Sequence, residues 1–487
     1  MENRKLKSKF AETSDENVKG SANAANYLTE PDSARLSAVK LVFQVCENNN
    51  FLNLSLQGVF DEFDLNSKDR SFATAIAYGT LSDIVIIDEI IRMNSRIEFE
   101  KIDPFTKSII RTGLWQIFMS DKIPDSAACN ESVKIAGFSD NRGSKSFVNA
   151  LLRSSIRQKN DILEKIINNP KKFYLKCGLP PELAGYFKKW FGEERAILLC
   201  RSMRNTPLTA VRVNTLISDL KYVENELKFQ GCDVYPSEFM ENALLIKTNG
   251  FPVEKISAFI EGSITIQDES AMLVSKILNP SKESTVVDVC SAPGGKTCHI
   301  ADIMGNKGII YALDISKSRL ALVNETARRL KSDIIKTIEH DALKPLFLAP
   351  DFSGADFVLA DVPCSGLGIM RRKPEIKLNM THEKITGLYE IQKSVLYNAS
   401  RVVKPGGVMV YSTCTLNPEE NQNRIINFLN ENGKDFELMG FSDLLPRKLA
   451  DSDPAIAQSA KNGMITILPD IHCSDGFFIA KLRRKNN

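Results

Sequence analysis

The spacing of apolar positions changes character twice along the chain. From residue 31 to 160 it follows the helical period. In "PDSARLSAVKLVFQV" Leu36, Val39, Val42 and Phe43 fall on one face, and Asp32 or Ser33 is placed to cap the first turn. In "IDPFTKSIIRTGLWQIFM" Asp103 suits the cap and Pro104 the first helical position. Phe105, Ile109, Ile110, Ile117 and Phe118 then repeat at helical spacing. Almost no alternating pattern interrupts this stretch, which predicts an all-α domain. Residues 161–255 read differently. "GLPPELAGYFKKWFGEERAILLCRSM" predicts helices with a proline-rich entry, and "LTAVRVNTL" and "NALLIKT" predict strands around a helix at "ISDLKYVENELKFQG". This is a small α+β linker domain, in which Arg212 and Asn214 of "VRVN" read as solvated-face residues.

From 256 to 487 short apolar runs alternate with helical stretches: "STVVDVC", "GIIYALDI", "FVLADVP" and "GGVMVYSTC". Strands alternating with helices predict a parallel, doubly wound sheet covered on both faces. "GFFIAKLRR" predicts a late strand, antiparallel at the edge. Residues 1–30 are polar and of mixed charge, which predicts a disordered tail.

Composition narrows the class without choosing a function. The chain has 487 residues, 43% apolar and 25% charged, as in an ordinary soluble globular protein. A formal net charge of +3 does not by itself point to nucleic acid, so any basic face must be local. No run of about 18 apolar residues occurs, so no membrane span is expected. The N-terminus lacks an apolar signal core, which predicts a cytoplasmic protein, and a monomer is expected. Ten cysteines and four histidines occur with no C-x-x-C pair, so no metal site is expected. Cys46, Cys129, Cys177, Cys200, Cys232 and Cys473 read as small apolar residues.

Candidate chemistry gathers where the predicted strands end. "VVDVCSAPGGKTCHIADIMG" runs strand, glycine-rich turn, helix; Gly294 and Gly295 allow close approach of a ligand, and the helix beginning near Lys296 offers free N–H groups. Asp314 ends the next strand, where an acid can accept from ribose hydroxyls. The turn is not G-x-G-x-x-G, so it fits an adenosyl ligand better than a dinucleotide. Asp341 and Asp361 follow later strands, and with Asp288 and Asp314 they make a rim of four acids suited to a cationic ligand such as the sulfonium of S-adenosylmethionine. Cys364 and Cys414 end two different strands at that rim. "RRKPEIK" follows the Cys364 loop, and its Arg371, Arg372 and Lys373 are candidate phosphate contacts.

These motifs carry a family resemblance. "DVCSAPGGKT", "ADVPCSGLGIMRRKPEIK" and "YSTCTLNPEENQ", with "VRVN" and "TIQDESAMLV", resemble the RNA (cytosine-5)-methyltransferases over residues 165–487. "ARLSAVKLVFQV", "DRSFATAIAYGTL", "IDPFTKSIIRTGLWQI", "ACNESVKIAG" and "SKSFVNALLRSSIR" resemble a NusB-type RNA-binding domain. Together they are similar to the bacterial 16S rRNA branch of the RsmB/Sun/Fmu type. The resemblance implies an all-α NusB-like domain, an α+β linker domain and a Rossmann-like methyltransferase domain, acting on 16S rRNA, naked or in an early assembly intermediate. It further implies that Cys290, Ser291, Ala292, Pro293, Gly294, Gly295, Lys296, Asp314, Asp341 and Asp361 contact S-adenosylmethionine, that Cys414 is the nucleophile, that Cys364 assists release, and that Asp361 also faces the base. Val289, Ser291 and Val362 depart from the family pattern without removing a group that the chemistry needs.

That chemistry explains two cysteines. C5 of cytosine is a poor nucleophile, and a thiolate adding to C6 turns the ring into an enamine that accepts a methyl group at C5. Other readings are a transferase acting on tRNA or another RNA, a DNA cytosine-5 methyltransferase, which would need only the Cys364 position, a transferase acting on protein or small molecules, and a non-catalytic RNA-binding factor built on the NusB-like head.

Overall fold

The computed structural model describes residues 30–167, 169, 172–346 and 352–486; all of the expected tail but Glu30 lies outside them. Eight helices, from Ser33–Asn48 to Lys159–Ile167, form the head. Their starts follow the capping rules: Asp32 and Asp103 accept the N–H groups of Arg35 and Thr106, each at 2.8 Å, and Pro104 opens its helix. Helix Pro104–Phe118 is buried on nearly every side and forms the centre of the bundle.

The linker sheet has the order β2-β3-β1-β4, all antiparallel. Its strands are β1 (Thr209–Val213), β2 (Asp233–Pro236), β3 (Ala243–Lys247) and β4 (Ile264–Ile266). The fourth strand comes from beyond residue 255, with Ile264 opposite Val213. Helices Phe173–Cys177, Pro181–Phe191 and Glu193–Ser202 precede this sheet.

The larger sheet has the order β10-β12-β9-β8-β5-β6-β7, with β11 beside β12. Its parallel part is β5 (Thr285–Asp288), β6 (Ile309–Asp314), β7 (Ile335–Glu339), β8 (Ala355–Asp361) and β9 (Val403–Thr413). The antiparallel part is β10 (Phe436–Leu438), β11 (Met464–Ile467) and β12 (Phe477–Arg484). β12 is not the expected edge: β9 lies on one side of it, and β10 and β11 on the other. Chain order reverses between β5 and β8, which opens a ligand crevice beyond their carboxyl ends. Among the described residues no helix is long and apolar enough to cross a membrane, and no three His, Cys, Asp or Glu are grouped to hold a metal.

Two buried polar joints lock the units together. Arg212, read from sequence as solvated, is 1% exposed; its Nε donates to Gln267 at 2.9 Å and its Nη1 to Asp302 at 2.7 Å. Asp302 lies on helix Gly295–Ile303, which starts at the glycine-rich turn. Asn214 is likewise buried and donates to the carbonyls of Gly262 and Leu330. The second joint reaches the head. Lys377, 4% exposed, donates to the Ser82 carbonyl at 2.7 Å, and Arg204 and Trp115 both hold Asp83.

Burial lowers the Lys377 pKa to about 8 from the usual 10.5, against the opposing pull of Asp83. Between these values the unfolded chain binds more protons than the folded one, so this group makes stability rise as pH rises from 8 to 10.5. Lys481, lowered to about 8 by its own burial, acts in the same direction. Lys377→Met should raise the urea midpoint at pH 7 and reduce, without abolishing, the gain in stability between pH 8 and pH 10. An unchanged pH slope would refute this account of the joint.

Candidate active site

β5 leads into the turn at residues 289–294, where Gly294 takes φ +105° and begins helix Gly295–Ile303 with no side-chain cap. A side chain at Gly294 would add strain in this left-handed conformation and press on Val323 Cα at 3.2 Å. Ser291 bolts the turn to β6 by donating its N–H and its hydroxyl to the Leu313 carbonyl, at 2.8 and 2.9 Å. Asp288 does not join the rim. It is 1% exposed and accepts from the Thr297 hydroxyl at 2.7 Å, and burial, with a further contribution from the Asp361 charge, raises its pKa to about 7. It supports the turn from within. Asp314, at the end of β6, accepts from Ser316 N at 3.0 Å and lies 3.3 Å from the Arg319 guanidinium. Asp341, beyond β7, accepts from Leu343 N at 3.0 Å and is half-buried.

The neighbouring strands β5, β8 and β9 bring the remaining candidates together. Lys296, on the helix after β5, pairs with Asp361 at the end of β8 at 2.8 Å. Ser412 of β9, in register with Asp361, donates to its other carboxylate oxygen at 2.6 Å. Burial alone would lower the Lys296 pKa; the Asp361 carboxylate, followed by Cys414, outweighs it and raises the pKa above the ordinary lysine value. Just past these residues the Sγ atoms of Cys364 and Cys414 lie 3.3 Å apart, both on half-buried side chains. The contact with Cys414, reinforced by burial, raises the Cys364 pKa well above the usual thiol range, so Cys364 keeps its proton at neutral pH.

The Cys364 loop is clamped against its surroundings. Gly368 N donates to the Cys414 carbonyl at 3.0 Å and Gly476 N to the Gly368 carbonyl at 2.9 Å; a Cβ on Gly368 would meet the Gly476 oxygen at 2.1 Å. Leu367, Met370 and Ile376 pack with Leu183, Phe187 and Leu199 of the linker helices.

The same clamp corrects the reading of "RRKPEIK". Arg371 and Arg372 both pair with buried Asp475, and Arg372 also reaches Asp268 at 2.6 Å. Their guanidinium groups are committed within the chain and are not aimed at phosphates. Lys377 belongs to the joint with the head. Lys373, 5.9 Å from the Phe51 ring, makes no salt bridge among the described residues, though its charge is felt by Glu375. Ser412 went unnoticed in the sequence because its importance follows from strand register. Of the cysteines read as small apolar residues, Cys129, Cys177, Cys200 and Cys232 are buried and Cys46 is half-buried, whereas Cys473 is exposed.

Comparison with known proteins bears on this geometry. Residues 275–483 match the family described as 16S rRNA methyltransferase RsmB/F, and residues 32–157 match the NusB family. The chain is 33% identical to the probable ribosomal RNA small subunit methyltransferase B of Bacillus subtilis, over 93% of this chain and 99% of the relative. The chain belongs to the RsmB/F family. A crystal structure of PH0851 superposes with a TM-score of 0.75 and 28% identity, over 92% of this chain and 98% of the other. NSun6 from Pyrococcus horikoshii, solved with SFG, superposes with a TM-score of 0.53 and 25% identity, over 63% of this chain and 98% of the other.

As an RsmB/F protein, it is an S-adenosylmethionine-dependent rRNA (cytosine-5)-methyltransferase. The site fits that ligand. Nothing lies within 4 Å of where a Cβ on Gly295 would stand, so the turn opens onto space beside uncapped helix N–H groups. The carboxylates of Asp314 and Asp361 stand at the ends of β6 and β8, on either side of β5, whose carboxyl end leads into this turn.

Proposed function

We propose that the protein methylates C5 of a cytosine in 16S rRNA through a covalent adduct between Cys414 and C6. The 3.3 Å separation of the Cys364 and Cys414 sulfurs, beside the Lys296–Asp361 pair, carries this reading. The target base leaves its stack, at a cost of roughly a few kcal/mol. Cys414, ionised, adds to C6 while Asp361 takes the N3/N4 edge and favours a proton at N3. Lys296 keeps that carboxylate oriented. When bound at the glycine-rich turn, S-adenosylmethionine supplies the methyl group that C5 takes up. C5–H cleavage and C6–S cleavage then occur together: Cys364, a thiol at neutral pH, hands its own proton to the departing Cys414 sulfur as it takes up the C5 proton, directly or through water. The C5–H electron pair becomes the C5–C6 double bond, the C6–S pair stays on the Cys414 sulfur, and Cys364 ends as the thiol it began. Residues 290–296, Asp314 and Asp341 serve the cofactor, and Lys373 is the phosphate contact left by the ion pairing of Arg371 and Arg372.

Cys364→Ala tests the release role. With S-adenosylmethionine and 16S rRNA fragments it should accumulate a retarded RNA–protein band on a denaturing gel, absent with tRNA and absent in wild type. Failure to accumulate that band would remove Cys364 from release.

A further inference from the structure

One fully buried carboxylate near the two sulfurs has no part in the proposed chemistry. Glu420, in "NPEENQ", is wholly inaccessible, and among the described residues no cationic side chain pairs with it. Four donors converge on it instead. One oxygen accepts from the Ser365 hydroxyl and, at 2.9 Å, from Asn417 Nδ2; the other accepts from Ser365 N and Gln392 Nε2, both at 2.8 Å. Ser365 follows Cys364 in the chain and Thr415 follows Cys414. Their hydroxyls meet at 2.7 Å.

The polarity of this chain of hydroxyls is fixed by its end. A carboxylate only accepts, so Ser365 gives Glu420 its single hydroxyl proton. Thr415 must therefore donate to Ser365, and it accepts in turn from Asn417 N at 3.3 Å. Every bond runs toward Glu420. The network ties the residue after one cysteine to the residue after the other, through side chains that are all buried. Cys414 has separate support: it continues directly from β9, and its carbonyl accepts from Gly368 N. Cys364 lies in a loop, where Gln392 donates to the Pro363 carbonyl on one side at 3.0 Å and Ser365 is fastened to Glu420 on the other.

We propose that Glu420 is a positioning residue for product release, holding the Cys364 thiol in register with Cys414. This inference rests on the roles proposed above for the two cysteines. Glu420→Gln changes almost no volume, yet it places an NH2 group where two donors already converge on each oxygen, so the network cannot be rebuilt. Adduct formation at Cys414 survives, whereas breakdown of the adduct slows.

The test separates the two steps. Single-turnover methyl transfer from labelled S-adenosylmethionine to a 16S rRNA fragment should stay within about twofold of wild type, while steady-state turnover falls roughly ten- to a hundredfold and the denaturing-gel adduct accumulates. Thr415→Val should change both readouts in the same direction, and Thr415→Ser, which restores the hydroxyl, should recover the wild-type ratio. This second pair keeps the test decisive if Glu420→Gln folds poorly. Loss of folded protein alone would lower burst and steady state in equal proportion, and that result would overturn the proposal. So would an unchanged ratio in both Glu420→Gln and Thr415→Val. Cys364→Ala run alongside distinguishes the failures: adduct with Cys364→Ala but not with Glu420→Gln sinks only the role of Glu420, and no adduct with either sinks the reading of the cysteines beneath it.

Discussion

Cys414→Ala should abolish methyl transfer, lowering the rate by at least about a thousandfold while leaving the fold intact. The side chain sits at the end of β9 and is half-buried, so removing the sulfur opens no large cavity. What is lost is the bond to C6, without which C5 does not become nucleophilic. Cys414→Ser should be nearly as inactive, because a hydroxyl ionises far less readily than a thiol. The decisive comparison is the double variant: the adduct trapped by Cys364→Ala should vanish when Cys414→Ala is added. If the single variants behave in reverse, with Cys364→Ala inactive and Cys414→Ala trapping RNA, the nucleophile is Cys364, and the protein uses its proline-cysteine loop as DNA cytosine-5 methyltransferases do.

The largest loss of stability should come from Arg212→Ala, far from the sulfurs. It leaves Asp302, itself buried, without its guanidinium partner. Removing one member of a buried pair costs about 3–5 kcal/mol, a large part of the roughly 5–15 kcal/mol that holds a domain together. Thr215 still donates to the abandoned carboxylate and does not neutralise it. Urea unfolding followed by circular dichroism should therefore show a much lower midpoint. Arg212→Met combined with Asp302→Leu should recover most of the loss, since it removes both charges and fills the volume. A loss below about 1 kcal/mol for Arg212→Ala would show that the pair is solvated.

The parts of this architecture legible in the sequence are those set by neighbours in the chain. Asp103 followed by Pro104 announces a helix start, and an apolar run ending in Cys414 announces a strand whose end faces a site. The glycine-rich turn is legible for the same reason. What the sequence hid depends on partners far along the chain. Arg371 and Arg372 look like a basic patch until Asp475 and Asp268 are brought to them. Arg212 looks solvated because its neighbours in "VRVN" do not reveal that Asp302 will cover it. β12 looks like an edge because β10 and β11, the short strands that cover its other side, are not expected from the sequence. Glu420 lies within a legible motif, but its four donors come from three separate segments. Asp288 and Asp361 look alike at the ends of their strands, and only the packing of Thr297 over one of them tells the buried support from the half-buried acid that pairs with Lys296.

The clamp on the Cys364 loop is completed by a segment made well after both cysteines. Arg371, Arg372 and Gly368 are held by Asp475 and Gly476, which lead directly into Phe477–Arg484. A chain that has been made only as far as Cys414 already carries both thiols, but it lacks Asp475 and Gly476, which hold Arg371, Arg372 and Gly368. Synthesis must run through that late strand before this clamp can close, so the segment that fastens the Cys364 loop is made well after both sulfurs.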